Sequence, residues 1–321
     1  MKTALICGIA GQDGAYLTRL LLEKGYRVVG TSRDAQISHF RTLSELGLRK
    51  QVEVLSMALN DFRSVLQVLA RVAPDEVYNL AGQSSVSLSF DQPVETLESI
   101  SIGTLNLLEG LRFLGAPTRF YNAGSGECFG DTGDHPANES TAFRPCSPYG
   151  VAKAAAFWEV ANYRAAYGLY ACSGILFNHE SPLRPERFVT QKIVQAACRI
   201  ARGSGERLKL GNLDVQRDWG WAPEYVEAMW SMLQQPEACD VVIATGETYS
   251  LARFVEESFA AVGLKWRDHV DLDPGLLRPT DLRVSRADPR FARERLGWTA
   301  QTTMPKVVHK MVDAVMRGRD V

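Results

Sequence analysis

A chain of 321 residues exceeds one average domain and leaves room for a nucleotide-binding domain with a smaller partner. Hydrophobic residues at 45% can build a sizeable core, and 23% charged residues is ordinary for a soluble protein. The formal net charge of -1 excludes a global field that would draw nucleic acid or an anionic membrane.

The chain enters an apolar run, Thr3–Cys7, directly, with no basic region and apolar stretch of a signal peptide before it. Gly8, Gly11 and Gly14 follow in a G-x-x-G-x-x-G loop that opens an amphipathic segment at 15–24. Glycines there permit a tight turn and close backbone approach to a pyrophosphate at a helix N-terminus, so the loop predicts dinucleotide binding. The next strand, 27–31, ends near Ser32 and Arg33. An arginine at that place accommodates a ribose 2′-phosphate and favours NADP, while the neighbouring Asp34 leaves NAD open.

Strands at 52–56, 76–80, 119–122 and 171–177 alternate with helices at 62–71, 96–114 and 148–167. Strand and helix in strict turn predict an α/β fold, a doubly wound parallel sheet of Rossmann type. Beyond residue 178 the alternation loosens. Helices are expected at 189–203, 224–235, 250–261 and 304–317, and the apolar run 241–244 reads as a strand returning to the main sheet. The predicted division is a nucleotide-binding domain over 1–177 and an interleaved, smaller substrate-binding domain over most of 178–321. Such a domain would cap the carboxyl ends of the strands, where open α/β sheets bind ligands.

Six scattered cysteines show no metal-finger spacing and are expected to be reduced in a cytoplasmic protein. No apolar stretch approaches the ~20 residues of a membrane span. Arginines outnumber lysines 27 to 9, which suits bidentate recognition of phosphates and also fits a bias in codon usage. Trp219, Trp221 and Trp230 read as core or wall residues.

The chemistry is concentrated in two segments. Ser125 and Glu127 stand at the end of the fifth strand, and Tyr149 and Lys153 follow on a helix that Ser147 caps and Pro148 starts. Four residues apart, the phenol and the ammonium share one face. A nearby ammonium lowers a phenol's pKa, which would make Tyr149 a usable base. The Tyr-x-x-x-Lys spacing alone arises readily by chance. After a dinucleotide loop and a serine at a strand end, it points to hydride chemistry at a hydroxyl.

On these segments the sequence resembles the extended short-chain dehydrogenase/reductase superfamily. It is more specifically similar to the GDP-mannose 4,6-dehydratase family. The similarity runs essentially the full length. It rests on the runs Gly11 to Tyr16, Asp75 to Leu80, Ile175 to Pro182, Phe188 to Thr190, Gly211 to Asp214, Arg217 to Gly220 and Tyr225 to Trp230.

The resemblance implies Ser125, Glu127, Tyr149 and Lys153 as catalytic residues. It implies NADP as cofactor, held by Gly8, Gly11, Gln12, Asp13, Gly14, Arg33, Leu59, Leu80, Ala81, Gly82, Ser84, Tyr149, Lys153, His179 and Arg184. GDP-mannose is the implied substrate, met by Ser85, Asn178, Val189, Lys192, Arg217 and Arg278. No metal, nucleic acid or membrane is implied, and a homodimer or homotetramer is. The implied reaction oxidises C4, eliminates water across C5 and C6, and returns the hydride to C6. A 4-epimerase, a 4-keto-reductase and a non-catalytic NADP-binding protein share the hydroxyl, Tyr and Lys. Glu127 is what elimination adds.

The chain departs from the family in several places. Gly124-Ser125-Gly126-Glu127 stands where the family has Ser-Thr-Ser-Glu, so the hydroxyl lacks the methyl that restricts its rotamer. Ala58 replaces an Asp, Trp221 replaces a His, and Asp34 replaces a basic residue.

Overall fold

The first apolar run forms the centre of the molecule, with side chains alternating between two faces. Ala4 and Ile6 enter one core, and Leu5 and Cys7 the other. The structure is a computed structural model and describes residues 1–318. In chain order the first part comprises β1 (Thr3–Cys7), α1 (Gln12–Glu23), β2 (Arg27–Ser32), α2 (Arg41–Glu45), β3 (Glu53–Ser56), α3 (Phe62–Val72) and β4 (Glu76–Asn79). There follow α4 (Val86–Asp91), α5 (Pro93–Leu97), α6 (Gly103–Leu114), β5 (Arg119–Ala123), α7 (Pro148–Tyr167) and β6 (Ala171–Leu176).

The remainder contains β7 (Asn178–Glu180), α8 (Val189–Ala201), β8 (Leu208–Leu210), β9 (Gln216–Trp221), α9 (Ala222–Met232) and β10 (Val241–Ile243). It ends with β11 (Thr248–Ser250), α10 (Leu251–Ala260), β12 (Val270–Leu272), β13 (Val284–Ser285), α11 (Arg290–Leu296) and α12 (Met304–Met316).

Seven parallel strands make the main sheet in the order β10-β6-β5-β4-β1-β2-β3. The order reverses between β1 and β4, and a ligand crevice opens at such a point beyond the strand ends. The apolar faces of α3 and α6 cover one side of the sheet, and α1 and α9 cover the other. A separate core joins α8, α10 and α12 to β8, β9 and β12, away from the main sheet. Trp219 is buried in that core.

Two departures from the expected elements position the crevice. Residues 98–102 form a π-helical turn between α5 and α6, where one continuous helix was expected. That turn presses Ile100 against Gly82, whose positive φ of 119° and lack of a side chain allow the approach. The expected strand 171–177 ends at Leu176. The chain then leaves the main sheet, and β7 pairs with β9 in a smaller sheet that β11 and β13 complete.

Candidate active site

The loop after β1 packs directly against the loop after β4. A Cβ on Gly8 would lie 2.9 Å from the Leu80 carbonyl oxygen, and one on Gly14 would lie 2.5 Å from the Gly8 carbonyl oxygen. Gly11 begins α1 without a side-chain cap, so the first-turn N–H groups are left for an anion. Gln12 is buried and turned inward, donating to the His179 carbonyl oxygen and accepting from the Ser181 hydroxyl. Its role is to tie the glycine loop to β7.

A cavity of about 400 Å³ extends from this loop across the carboxyl ends of β5 and β6. Asp13, Leu80, Ser84 and Ser85 line one end, and Ser125, Glu127, Tyr149 and Lys153 line the middle. Asn178, His179, Arg184, Val189, Lys192, Arg217 and Arg278 also line the wall, so residues as far apart in the sequence as Asp13 and Arg278 meet here. Gly8, Gly11, Gln12, Gly14, Ala81 and Gly82 lie behind that wall in the two packed loops. Leu59 sits against Gly103 at the start of α6, and Arg33 is on the surface with its guanidinium 3.3 Å from Glu95. Neither lines the cavity.

Ser125 follows β5 in extended conformation, and its hydroxyl oxygen accepts the Glu127 N–H at 3.3 Å. α7 begins on Ser147, whose hydroxyl accepts the Gly150 N–H at 3.0 Å. This cap brings Tyr149 and Lys153 onto the cavity side. Lys153 Nζ donates to the Ala123 carbonyl oxygen at 2.7 Å and lies 5.8 Å from the Tyr149 ring centre. Burial pushes the Tyr149 pKa well up, while the Ser125 hydroxyl and the Arg184 guanidinium pull it back. Burial pushes Lys153 down to about 8. Ser125 and Arg184 are therefore the chief groups that favour the phenolate, a part the spacing argument assigned to Lys153.

Removal from water also raises the Glu127 pKa, against the pull of Arg217 and Arg278. The two arginines meet at Asp281, whose Oδ1 accepts from Arg217 Nη2 at 2.9 Å and Arg278 Nη1 at 3.3 Å. Arg278 Nε also donates to the Ser87 hydroxyl at 3.0 Å. Lys192, on α8, donates to the Lys209 carbonyl oxygen at 2.8 Å.

His179 sits between two acceptors. Nδ1 faces the Phe177 carbonyl oxygen at 2.8 Å, and Nε2 faces Asp13 Oδ2 at 2.9 Å. Burial would lower its pKa, yet the Asp13 carboxylate overrides that and raises it, and the ring stacks on Tyr225. The pair holds a carboxylate at the first turn of α1 beside the cavity. Asp281, Ser87 and Tyr225 were not singled out as site residues from the sequence. An Asp three residues after an Arg is too common to mark a site.

A family model described as GDP-mannose 4,6 dehydratase matches residues 5–311. GDP-mannose 4,6 dehydratase 1 of Arabidopsis thaliana is 46% identical over 97% of this chain and 89% of its own length. GDP-mannose 4,6-dehydratase of Vibrio cholerae is 42% identical over 97% of this chain and 92% of its own. In fold, UDP-glucose 4-epimerase of Thermotoga maritima superposes with a TM-score of 0.88 at 21% identity, covering 98% of this chain and 99% of that one. Full-length matching of this kind, with the motif residues gathered at one cavity, means that the chain belongs to the GDP-mannose 4,6-dehydratase family.

Proposed function

We infer that the protein is a GDP-mannose 4,6-dehydratase, producing GDP-4-keto-6-deoxy-mannose. One observation carries the reaction type: Glu127 lines the same cavity as Ser125, Tyr149 and Lys153. A 4-epimerase or 4-keto-reductase leaves that carboxyl without a task.

A nicotinamide dinucleotide fits the residues present. The glycine loop admits backbone at distances that no side chain would allow, and α1 offers uncapped N–H groups to a pyrophosphate. NADP is our specific reading, because Arg33 stands at the end of β2, where among the described residues a surface ion pair to Glu95 restrains it. Such pairs contribute at most about 1 kcal/mol. Held at the glycine loop, such a cofactor would supply reversible hydride transfer, from C4 and back to C6, with no net consumption.

The chain's own groups move the protons. Tyr149 Oη takes the proton of the C4 hydroxyl, and Ser125 holds that oxygen. The resulting C4 ketone acidifies C5–H, and the Glu127 carboxylate removes that proton. The same carboxyl, now protonated, delivers the proton to the departing C6 hydroxyl, which leaves as water. Hydride return to C6 leaves an enolate across C4 and C5, and Tyr149 gives C5 the proton that it took from the C4 hydroxyl. The C4 ketone persists in the product, and Tyr149 and Glu127 return to their starting states. Arg217, Arg278 and Lys192 are assigned to the nucleotide diphosphate and its sugar.

The reading is completed by three broader assignments. The substrate-binding unit is the region with its own core, interleaved with the sheet through β10. All six thiols are free, which suits a reducing compartment such as the cytoplasm, and among the described residues no helix is long and apolar enough to cross a membrane. The protein assembles as a homodimer or homotetramer.

Incubation with GDP-mannose in heavy water, without added reductant, tests the reaction. A 4-keto-6-deoxy product with deuterium at C5 is expected, whereas C4 inversion would identify an epimerase. Replacing Glu127→Gln should lower dehydration at least a hundredfold with cofactor binding kept. Near-normal dehydration by that variant would remove Glu127 from the mechanism.

A further inference from the structure

Two guanidinium groups side by side repel each other and, left alone, splay apart. Here they do not. Arg217, fixed by its place on β9 and by donation from Nη1 to the Gln216 carbonyl oxygen, shares one oxygen of Asp281 with Arg278. Arg278 is held from its other side by the Ser87 hydroxyl, near the start of α4. Arg217 is almost wholly buried, so its charge acts through little water. Both arginines face the cavity at the wall that also carries Glu127. The arrangement is an alternation of charges: Glu127, Arg217, Asp281, Arg278.

We propose that Asp281 is a positioning residue that holds Arg217 and Arg278 as a preformed clamp for the diphosphate of the nucleotide sugar, and that its charge keeps those arginines from neutralising Glu127. The proposal rests on the reading of Glu127 as acid and base and of the two arginines as diphosphate ligands. Without the carboxylate, more of the charge of the buried Arg217 would act on Glu127, which stands first among its acidic neighbours, ahead of Asp131. Glu127 would then be held as a carboxylate, adequate for removing C5–H but poor at handing the proton to the departing hydroxyl. With Asp281 in place, the arginines are already paired when the cavity is open to substrate. A diphosphate supplies two further negative charges to the same guanidinium forks. Binding at the nucleotide end is thereby linked to proton handling at the sugar end.

The groups around Glu127 are told apart by comparing the pH profiles of parent and variants. Besides Arg217, Arg278 and Asp281, the titratable groups that face it are Tyr149 on α7 and the neighbouring Cys128. Burial raises Tyr149 and takes Cys128 to about 12, and Lys153 behind them stands at about 8. Tyr149, as the base at C4, contributes the same ascending limb in parent and variant, so a displacement of that limb specific to the loss of the Asp281 charge reports Glu127, which Asp281 faces.

Asp281→Asn keeps the shape and removes the charge. The expected result is an acidic limb of kcat moved to lower pH, because the arginines now favour the Glu127 carboxylate more strongly. The KM for GDP-mannose should rise roughly ten-fold as two hydrogen bonds lose their anionic acceptor and the guanidinium groups are held less firmly. Asp281→Glu, which restores the charge, should return the limb to its wild-type position. Ser87→Ala loosens Arg278 alone and should raise KM with the limb unmoved. A limb that stays in place in Asp281→Asn overturns the coupling, and an unchanged KM in both Asp281→Asn and Ser87→Ala overturns the clamp. Glu127→Gln measured alongside keeps the two readings apart. If it abolishes dehydration while Asp281→Asn behaves as wild type, the clamp proposal fails and the assignment of Glu127 stands.

Discussion

Lys153 illustrates at the scale of one residue how function and stability pull apart. Its ammonium is buried, bonded to the Ala123 carbonyl oxygen, and its pKa falls from an ordinary 10.5 to about 8. Between those two values the unfolded chain binds a proton that the native chain does not, so stability rises with pH through that window. Below about pH 8 the full cost of burying the charge remains. Lys153→Met should therefore be more stable than the parent at pH 7, by on the order of 1–3 kcal/mol once the orphaned carbonyl is allowed for. The gain should fade above pH 10, and dehydration should fall at least a hundredfold. Thermal unfolding at pH 7 and pH 10 measures it, and a variant less stable at pH 7 contradicts the argument. Tyr149 and Lys153 were legible because their partnership is local, four residues on one helix. Asp281 and Ser87 were not. Asp281 meets Arg217 across 64 residues and Ser87 meets Arg278 across 191, separations at which no spacing survives.

At the scale of elements, α7 is the best-signalled helix of the chain and the one that carries the most chemistry. Ser147 caps it, Pro148 occupies its first position, and Gly168 in left-handed conformation (φ 68°) ends it, as a sequence reader would place them. The cap is part of the site, because Tyr149 lies in the first turn. Ser147→Ala should cost about 1 kcal/mol and lower Tm by roughly 2 °C. It should also reduce kcat more than it raises KM, since the loosened turn carries the reacting phenol and not the nucleotide clamp. Ser147→Thr should recover both, and a fall in Tm with kcat intact would show that the first turn holds without its cap. The long helices and all seven strands of the main sheet, the returning β10 included, were read within a few residues of most of their bounds, because period and caps are local signals. The strands β7, β8, β9, β11, β12 and β13 were not separately read. Most are two or three residues long, and their only reason to be strands is pairing with distant chain. The π-turn at 98–102 escaped for the same cause, since it answers to Gly82 on another loop.

At the scale of the whole molecule, the chain crosses between its two cores at Phe177 and again around β9, β10 and β11, so neither core closes without the other's connections. The helices packed around α7 carry the exposed apolar surface that suits assembly. α5, α6 and the π-turn pack along α7, and this group exposes large apolar side chains on adjacent helices. Val151 and Trp158 are seven residues apart on one face of α7, at 47% and 62% exposure, and Val94, Leu97, Ile102 and Phe113 are exposed on its neighbours. A patch of large apolar side chains from several elements is costly in water and marks an interaction surface. In a homo-oligomer the commonest solution is a two-fold axis that lays such a face on its own copy. The same helix that presents Trp158 outward presents Tyr149 inward, so the contact would also brace the catalytic turn. Light scattering should give the parent a mass of two or four times 35.5 kDa. The double variant Val151→Glu with Trp158→Glu buries like charges against each other across the axis and should fall to 35.5 kDa at micromolar concentration. Its kcat per chain should drop with its mass and recover as concentration restores the oligomer. A parent already at 35.5 kDa, or a variant whose mass does not change, would place the assembly surface elsewhere.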